Sequence, residues 1–320
     1  MGKCNKIKAE KRGLRMKPLE GRKRRRGDRY DGYLVRNLDP MTALIPFIMK
    51  TKPDSWVLVD DRIDISHTRE FIREMRKSGS IPALSLYQIV FAAMVRMIVE
   101  VPEVNRFVQN GRIYARNRIK GSMVVMRGLS KDSDRTTIMP DFDQEDTLYD
   151  VVRKIDEKID EIDRTQKKVR DDGGKSSFDV LQSALSSVPP FLLRLVFDTL
   201  KALDRHGLMP KALNELSPFH SSFFITNMGS IGMMPVYHHI YEFGTLSCFG
   251  AIGAIDTVYE PDRKGEMKKK VYLNIKFVVD ERAADGFIYA VGMKAFKKYV
   301  MKPELLLVPP EKIEQDKIDR

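Results

Sequence analysis

Three consecutive patterns near the C-terminus restrict the fold of this chain more than any other feature. Residues 271–279 alternate between apolar and polar side chains over much of their length, which predicts a half-buried β-strand. Residues 280–286, with the sequence D-E-R-A-A-D-G, predict a loop. Apolar residues then recur at helical spacing from Phe287 to Val300, and we expect the helix to end before Pro303, since proline disfavours helical geometry in the preceding residue. A strand, a charged loop and a helix in this order predict an α/β fold.

The rest of the chain predicts further helices and strands. Ser66 is the expected N-cap of one helix, because serine favours that position. The most apolar segment, 84–101, is interrupted by Gln88, Arg96 and Glu100, which favours a core helix over a membrane span. The predicted helices are 40–49, 66–77, 84–101 and 148–170, and the predicted strands outside the C-terminal pattern are 56–59 and 121–126.

The positive charge of the chain is concentrated at one end. The net charge is +12, and residues 1–30 contain 13 Lys and Arg against three acidic residues, so the remaining 290 residues are near +2. Blocks of like charge seldom fold, so residues 1–30 are predicted to be a basic, disordered tail before a domain over 31–310 and a charged C-terminal tail over 311–320. The basic residues suit an anionic surface. Nucleic acid is disfavoured, because no aromatic residue interrupts the basic block before Tyr30.

The two cysteines, Cys4 and Cys248, give neither a disulfide framework nor the spacing of a zinc site. We therefore expect no metal and a reducing compartment. The N-terminus lacks the apolar segment of a secretory signal, so the predicted location is the cytoplasm.

Two segments of the chain carry a family resemblance. Residues 280–286 resemble the D-H-R-x-x-D-G loop in the acyltransferase catalytic core of 2-oxo acid dehydrogenase complexes, and chloramphenicol acetyltransferase has a related H-H-x-x-x-D-G loop. Residues 224–232 (F-I-T-N-M-G-S-I-G) resemble the T-I-S-N-L-G-x-x-G segment of the same cores. Weaker matches, at 59–64, 101–105 and 249–253, extend the resemblance over nearly the whole chain.

The resemblance implies a fold, an assembly and a reaction. The fold would be the two-layer sandwich of chloramphenicol acetyltransferase, a mixed sheet covered by helices. Such proteins form homotrimers with each active site between neighbours, and the charged C-terminus argues against assembly into larger cages. The reaction would transfer an acyl group from coenzyme A to an unknown, small-molecule or lipid-like acceptor. We see no lipoyl-bearing domain in this sequence, so we expect a free-standing core with no lipoyl group on the chain.

The resemblance also assigns roles to individual residues. The family's loop histidine takes a proton from the attacking group, and Glu281 stands in its place here. A serine hydroxyl stabilises the oxyanion in the family, and Thr226 falls at that position. Asp285 would hold the loop through an ion pair. The residues expected to shape the two loops are Asp280, Arg282, Gly286, Asn227 and Gly229.

Three hypotheses for the missing histidine remain open. A free glutamate carboxyl has a pKa of about 4.3 and is a poor base at neutral pH, but burial raises such pKa values, and Glu281 could then act as the base. Alternatively, Glu281 pairs with Arg282 and the protein is an inactive scaffold or regulator. A third hypothesis takes the base from His238 or His239. Adjacent histidines on a strand point to opposite faces, which argues against a shared metal.

The segment at 176–218 departs from the family, whose corresponding link is shorter. It predicts a helix at 178–188 and a second one starting near Pro190 in a first helical turn and ending near His206 and Gly207. The second helix is apolar around most of its circumference and therefore needs a partner. The candidates are the body of the protein or a sister subunit, an acyl substrate beneath a lid, or a membrane surface.

Overall fold

The computed structural model describes residues 22–126, 135–171, 188–262 and 264–319. The helix predicted at 178–188 lies almost wholly outside these ranges, as does most of the predicted N-terminal tail. The helices are α1 (Pro40–Ile48), α2 (Ser66–Lys77), α3 (Leu86–Glu100), α4 (Leu148–Asp171), α5 (Pro190–Arg205), α6 (Lys211–Leu216) and α7 (Gly286–Met301). The strands are β1 (Gly32–Leu34), β2 (Trp56–Asp64), β3 (Arg106–Gln109), β4 (Arg112–Arg116), β5 (Ile119–Met126), β6 (Arg135–Ile138), β7 (Asp141–Phe142), β8 (Phe223–Asn227), β9 (Cys248–Pro261) and β10 (Met267–Asp280).

A large mixed sheet forms the centre of the molecule. Its strands follow the order β2-β10-β9-β8-β5-β6, and β7 pairs with β5 beside this path. The sheet is mixed because β8 runs parallel to both β5 and β9, whereas β10 is antiparallel to β9 and β2. Helices α2, α3 and α7 contribute to the apolar core on one face. The predicted arrangement, a mixed sheet covered by helices, is confirmed.

Helix α3 is the centre of that core. Residues from Gln88 to Val99 are all buried. A capping box starts the helix, in which Ser85 accepts from the Gln88 backbone and the Gln88 side chain accepts from the Ser85 backbone. The prediction of a core helix is confirmed, and in the described ranges no helix is long and apolar enough to cross a membrane.

Two local predictions differ from the structure. Ser66 is the first helical residue of α2 rather than its N-cap, because the Ser66 hydroxyl accepts a hydrogen bond from the backbone of Val271 (3.0 Å), on the neighbouring strand. The strand predicted at 56–59 continues to Asp64, since β10 pairs with it along its full length.

A smaller antiparallel sheet, β1-β4-β3, packs beside the large one. Its β3–β4 hairpin turns at Asn110 and Gly111, both with positive φ, as expected for an Asn-Gly hairpin turn. Both predicted tails contribute contacts to this region. Arg29 is buried, and Asp316 forms a two-pronged ion pair with Arg106. Arg29 and Asp316, one in each predicted tail, therefore contact the folded domain.

The second face of the large sheet is covered only in part. The chain from 231 to 247 crosses it, and Ile240 and Leu246 pack there against Phe224, Phe249 and Val278. Residues along this segment and the neighbouring strands leave apolar side chains exposed, among them Leu58, Met233, Met234, Tyr237 and Ile255. The open part of this face carries one of the two predicted site segments.

Candidate active site

The predicted active-site loop begins where β10 ends. Asp280 is 1% exposed, and Arg282 donates to both of its carboxylate oxygens, from Nε at 2.9 Å and from Nη2 at 2.8 Å. Ser55 donates a further hydrogen bond to Asp280 (2.8 Å), and the Glu281 backbone N–H donates to the Ser55 carbonyl (3.0 Å). Burial alone would lower the pKa of Arg282, but its bonds to Asp280 raise it above its usual value, so the guanidinium stays protonated.

Arg282 also ties the loop to helix α1. Its Nη1 donates to the Lys50 carbonyl (3.2 Å), just beyond the end of α1. The Tyr289 hydroxyl donates to the Asp280 carbonyl (2.9 Å) from below, out of α7. The backbone that carries Glu281 is thus fixed from three elements: α1, the turn at Ser55 and α7.

The side chain of Glu281 is left unengaged by this arrangement. It is half-buried, and its carboxylate has no hydrogen bond or ion pair with any residue that the structure describes. Because Asp280 takes both donor edges of Arg282, the hypothesised Glu281–Arg282 pair is not formed. The carboxylate is therefore free to receive a proton or a ligand.

Asp285 and Gly286 start helix α7. Asp285 is its N-cap, and its carboxylate accepts from the Ile288 backbone (2.9 Å). Within the described ranges Asp285 forms no ion pair; the loop's ion pair is the one between Asp280 and Arg282. A Cβ added at Gly286 would meet no atom within 4 Å, so a single chain gives no steric reason for glycine there.

Thr226 lies near the end of β8, on the open face of the large sheet. Side chains alternate along a strand, and Thr226 therefore shares a face with Phe224, which packs in the cluster on that side. Its hydroxyl is half-buried and has no hydrogen-bond partner among the described residues. Like Glu281, Thr226 carries a polar group that the single chain does not use.

The turn after Thr226 needs its residues for steric reasons. The Asn227 side chain accepts from the Ser230 backbone (3.1 Å), and the Ser230 hydroxyl donates to the Asn227 carbonyl (2.8 Å). A Cβ at Gly229 would stand 2.4 Å from the Gly253 carbonyl oxygen, so only glycine lets the turn lie against β9. Asn227 and Gly229 shape this turn.

Glu281 and Thr226 are far apart within one chain. Thr226 pairs with Ala251 on β9, and Ala251 pairs with Lys276 on β10. Lys276 and Asp280, the residue before Glu281, are four positions apart, or roughly 14 Å at 3.4 Å per residue, and β8 and β10 are two strand spacings apart, about 10 Å. One chain therefore does not bring the two groups together around a single reacting atom.

The two histidines proposed as alternative bases lie on the open face. The His238 ring stacks on Phe249 at 4.7 Å, on the side of the sheet that Thr226 also faces. His239 is exposed, and its ring lies 5.4 Å from that of Trp56, the strand partner of Asp280. His238 is therefore near the Thr226 strand and His239 near the end of β10.

Sequence reasoning missed Lys52. Its Nζ is buried and donates to the carbonyls of Tyr241 (2.9 Å) and Gly244 (2.8 Å), and burial lowers its pKa to about 8. The lysine follows α1 in an unremarkable T-K-P segment, and its partners lie about 190 residues away, so no local pattern indicates it. Lys52 fixes the segment that supports the loop of Glu281.

An apolar cavity lies inside the core, between the large sheet and helices α3 and α7. Its volume is about 20 Å³, which leaves room for about one water molecule. Cys248 lines it, and burial raises the pKa of this thiol to about 12, which makes it unreactive. No group of three His, Cys, Asp or Glu side chains arranged for a metal occurs among the residues described.

The fold and the position of the loop define the class of this chain: it has the two-layer fold of chloramphenicol acetyltransferase. A probable dihydrolipoamide acetyltransferase from Listeria monocytogenes 4b F2365 superposes with a TM-score of 0.51 and 14% identity, covering 83% of this chain and 93% of that chain. A truncated catalytic core of the 2-oxoacid dehydrogenase multienzyme complex from Thermoplasma acidophilum gives 0.45 and 14%, covering 84% and 98%. Chloramphenicol acetyltransferase gives 0.44 and 9%, covering 82% and 94%. At these identities the first likeness establishes the fold alone.

The family resemblance is confirmed over the C-terminal third. Residues 211–308 match the family model described as the 2-oxoacid dehydrogenases acyltransferase (catalytic domain). The matched range contains both Thr226 and Glu281, together with the loops around them. Comparison with curated proteins gives no match.

Proposed function

We propose that this protein is an acyltransferase that uses acyl-coenzyme A, with Glu281 as general base and Thr226 as the oxyanion donor. The observation that carries the proposal is the pairing of Asp280 with Arg282, which leaves the half-buried Glu281 carboxylate without a partner. The match of residues 211–308 to an acyltransferase catalytic domain supports the reaction class. The acceptor in this proposal is a group that bears a thiol or a hydroxyl.

The reaction proceeds through one tetrahedral intermediate. Glu281 takes the proton from the acceptor thiol or hydroxyl, whose sulfur or oxygen attacks the thioester carbonyl. The carbonyl oxygen becomes an oxyanion and accepts a hydrogen bond from the Thr226 hydroxyl. The carbon–sulfur bond to coenzyme A then breaks, and the departing thiolate takes the proton back from Glu281. The acyl group ends on the acceptor, and free coenzyme A leaves.

The site is proposed to form between two copies of the chain. Within one chain Thr226 and Asp280, the residue before Glu281, are separated by roughly 14 Å along the strands and about 10 Å across them. A homotrimer with Glu281 from one subunit facing Thr226 of the next would remove that separation. The exposed apolar side chains on the open face, beside Thr226, offer contact area for such a neighbour.

The first test is turnover of acetyl-coenzyme A with a small dithiol such as dihydrolipoamide. We expect Glu281→Gln to reduce kcat by about 100-fold or more, as loss of a general base does, and Thr226→Val to reduce it by a similar factor. Glu281→His should retain turnover with a changed pH profile. Glu311→Gln, an exposed carboxylate beyond the matched range, is the control and should leave the rate unchanged.

Two outcomes would contradict this assignment. Turnover lost in His238→Gln but kept in Glu281→Gln would move the base to the histidine on the Thr226 face. The wild type should be tested with acyl-coenzyme A donors of several chain lengths. Absence of turnover with all of them, whether or not they bind, would favour the inactive scaffold or regulator.

A mixing experiment tests the shared site. Glu281→Gln and Thr226→Val subunits are each inactive in the proposal, but a mixed trimer places an intact Glu281 opposite an intact Thr226 at some interfaces. Denaturing and refolding an equal mixture should restore about a quarter of wild-type turnover if subunits combine at random. Absence of any recovery, in mixtures shown to be hetero-oligomeric, would contradict a site shared between subunits.

A further inference from the structure

Helix α5 projects from the protein. Its C-terminal end is anchored, because Asp204 is 2% exposed and receives hydrogen bonds from Arg29 (3.1 Å) and Gln109 (3.0 Å). Its first two turns are uncovered, with Phe191 70% and Leu195 62% exposed. Leu192, Val196 and Phe197 are exposed as well. A helix that is apolar around most of its circumference requires an apolar environment, and the described body of the chain does not supply one here.

Helix α1 exposes a second apolar stripe. Met41, Leu44, Phe47 and Ile48 recur at spacings of three and four, which places them along one side of the helix, and each is at least half exposed. The α1 sequence, P-M-T-A-L-I-P-F-I, contains no charged residue. Contiguous exposed apolar surface of this extent marks an interaction site.

The tip of the β3–β4 hairpin lies beside the C-terminal end of α5, Phe47 of α1, and Gly27, which directly follows the basic segment 22–26. Gln109 bonds Asp204 of α5, and Gly111 lies under the Phe47 ring of α1, which an added Cβ would approach to 2.9 Å. The Arg112 guanidinium lies beside Gly27, directly after the basic segment. Residues 109–112 span at most about 10 Å, so these three contacts lie in one small region.

The charges around this region are predominantly positive. Residues 22–26 read R-K-R-R-R, and Lys23 to Arg26 are exposed. Asp319 pairs with Arg22 and Arg25, and Asp28 pairs with Arg36, so these carboxylates neutralise only part of the segment. The polar stripe of α5 adds Arg194, Lys201 and Arg205 around a single exposed carboxylate, Asp198.

We propose that α1, α5 and the basic segment 22–26 form a docking surface for an anionic lipid bilayer. The apolar stripes of the helices would enter the boundary between headgroups and acyl chains, and the basic residues would contact the anionic headgroups. Through the Arg282 bond to the Lys50 carbonyl, the surface adjoins the loop of Glu281. The proposal concerns binding and stands without the proposed acyl transfer.

Charge favours a bilayer over a second copy of the chain as the occupant. A self-complementary contact would place the basic segment and the basic stripe of α5 against like charges, which is unfavourable. The most acidic stretch, residues 141–163, has ten Asp and Glu against three Lys and Arg, but Tyr149 is its single exposed large apolar side chain, so it lacks the apolar layer that α1 and α5 need. An anionic bilayer supplies both the apolar layer and the countercharge.

The test measures co-sedimentation of the full chain with vesicles of phosphatidylcholine alone or with about a third phosphatidylserine. We expect binding to the anionic vesicles and much weaker binding to the neutral ones. The double variant Phe191→Ser with Leu195→Ser should weaken binding by about 100-fold, because it removes two large inserted side chains. Lys23→Gln with Arg26→Gln should weaken it by about 25-fold, at roughly fivefold per charge.

Matched controls use the far hairpin between β9 and β10. Tyr259→Ser with Met267→Ser replaces side chains of similar exposure, and Lys264→Gln with Lys269→Gln removes two charges; both pairs should leave vesicle binding unchanged. Circular dichroism and thermal unfolding verify that each variant is folded. Leu44→Ser in α1 should also weaken vesicle binding, independently of the α5 variant. Equal binding to both vesicles, no binding, or equal weakening by the controls would overturn the proposal. If the wild type does not bind vesicles and the α5 variant loses its oligomer in sedimentation velocity, the surface binds a second copy of the chain.

Discussion

Two buried Asp–Arg pairs hold this molecule at two places, and they differ in construction. At the end of β10, Asp280 and Arg282 are two residues apart, and one arginine serves one carboxylate with two parallel bonds. At the base of α5, Arg29 reaches Asp204 across 175 positions and also binds both oxygens of Asp31. In the first pair the partners are close in sequence, and Arg282 pairs with one carboxylate. In the second pair the partners are far apart in sequence, and Arg29 pairs with two carboxylates.

The difference determines what remains when one partner is lost. Without Arg282, Asp280 would keep a single side-chain donor, Ser55, for a fully buried charge. Without the Asp204 charge, Arg29 would still be paired with Asp31. The local pair therefore protects the loop of Glu281 with little redundancy, and the shared pair lets the base of α5 tolerate change.

The largest effect is expected for Arg282→Ala. Removing one member of a buried ion pair typically costs about 3–5 kcal/mol, because the other charge stays buried without compensation. Urea unfolding should show that loss. Arg69→Ala, at an exposed position on α2, is the matched control and should change the free energy of unfolding by less than about 0.5 kcal/mol.

A smaller loss is expected for Asp204→Asn. The isosteric change removes one charge from a hydrogen-bonded cluster and should cost about 1.5–3 kcal/mol, the range for hydrogen bonds to charged groups, since Arg29 keeps Asp31. Proteolysis within α5 should become faster, because Asp204 attaches the C-terminal end of this helix to the rest of the protein. Asp198→Asn, exposed on the same helix, should have little effect. A cost equal to that of Arg282→Ala would contradict the proposed redundancy.

The same contrast explains which parts the sequence predicts. Asp280 and Arg282 are neighbours in a recognisable motif, and their strand and helix have clear periodicities, so the loop and the sheet around it could be predicted. Asp204 has partners on three other segments, and no spacing in the sequence relates Arg29 to it. The role of Lys52 could not be predicted either, since its hydrogen-bond partners are about 190 residues away in the sequence.

The position of Ser66 shows a related limit at a single residue. A serine before a helix is a good N-cap candidate by propensity alone, but β10 supplies a backbone donor at Val271 that takes its hydroxyl. This tertiary contact overrides the local preference, so Ser66 is the first helical residue and the helix starts one residue earlier than its sequence predicts. Likewise the separation of Glu281 from Thr226 follows from the strand register, which no motif contains.

The pH dependence of stability should differ between the wild type and Asp204→Asn. Burial by itself would raise the pKa of Asp204, but the contacts with His220 and Arg29 outweigh it and lower that pKa below 3.8. A lowered folded-state pKa gives stability that is complete above pH 3.8 and is lost as the pH falls through the folded value. The stability gap between the two proteins should therefore be constant near neutral pH and shrink below pH 3.8. Urea unfolding of both proteins across acidic pH values measures this gap.

The two pairs are joined by a continuous chain of hydrogen bonds. Gln109 donates to both Asp204 (3.0 Å) and the Gly244 carbonyl (3.1 Å), and Lys52 donates to the same carbonyl (2.8 Å). The Lys52 carbonyl accepts from the backbone of Ser55 (3.0 Å), whose hydroxyl bonds Asp280. Gly244 has a φ of +86°, and a Cβ there would stand 2.3 Å from the Phe219 carbonyl oxygen, so the shared acceptor depends on glycine.

The smallest expected effect is the coupling that this chain transmits. In a double-mutant cycle of Arg282→Ala and Asp204→Asn, we expect a coupling energy of about 0.5 kcal/mol, at the lower end for residues in one network. Lys52→Met interrupts the chain at its centre, so the same cycle in that background should be additive within about 0.3 kcal/mol. Arg282→Ala combined with Asp198→Asn is the control pair and should be additive in both backgrounds. If the first cycle is additive, the two ion pairs act independently. If the coupling persists in the Lys52→Met background, the two pairs are connected by another route, because Lys52 links the two halves of this hydrogen-bond chain.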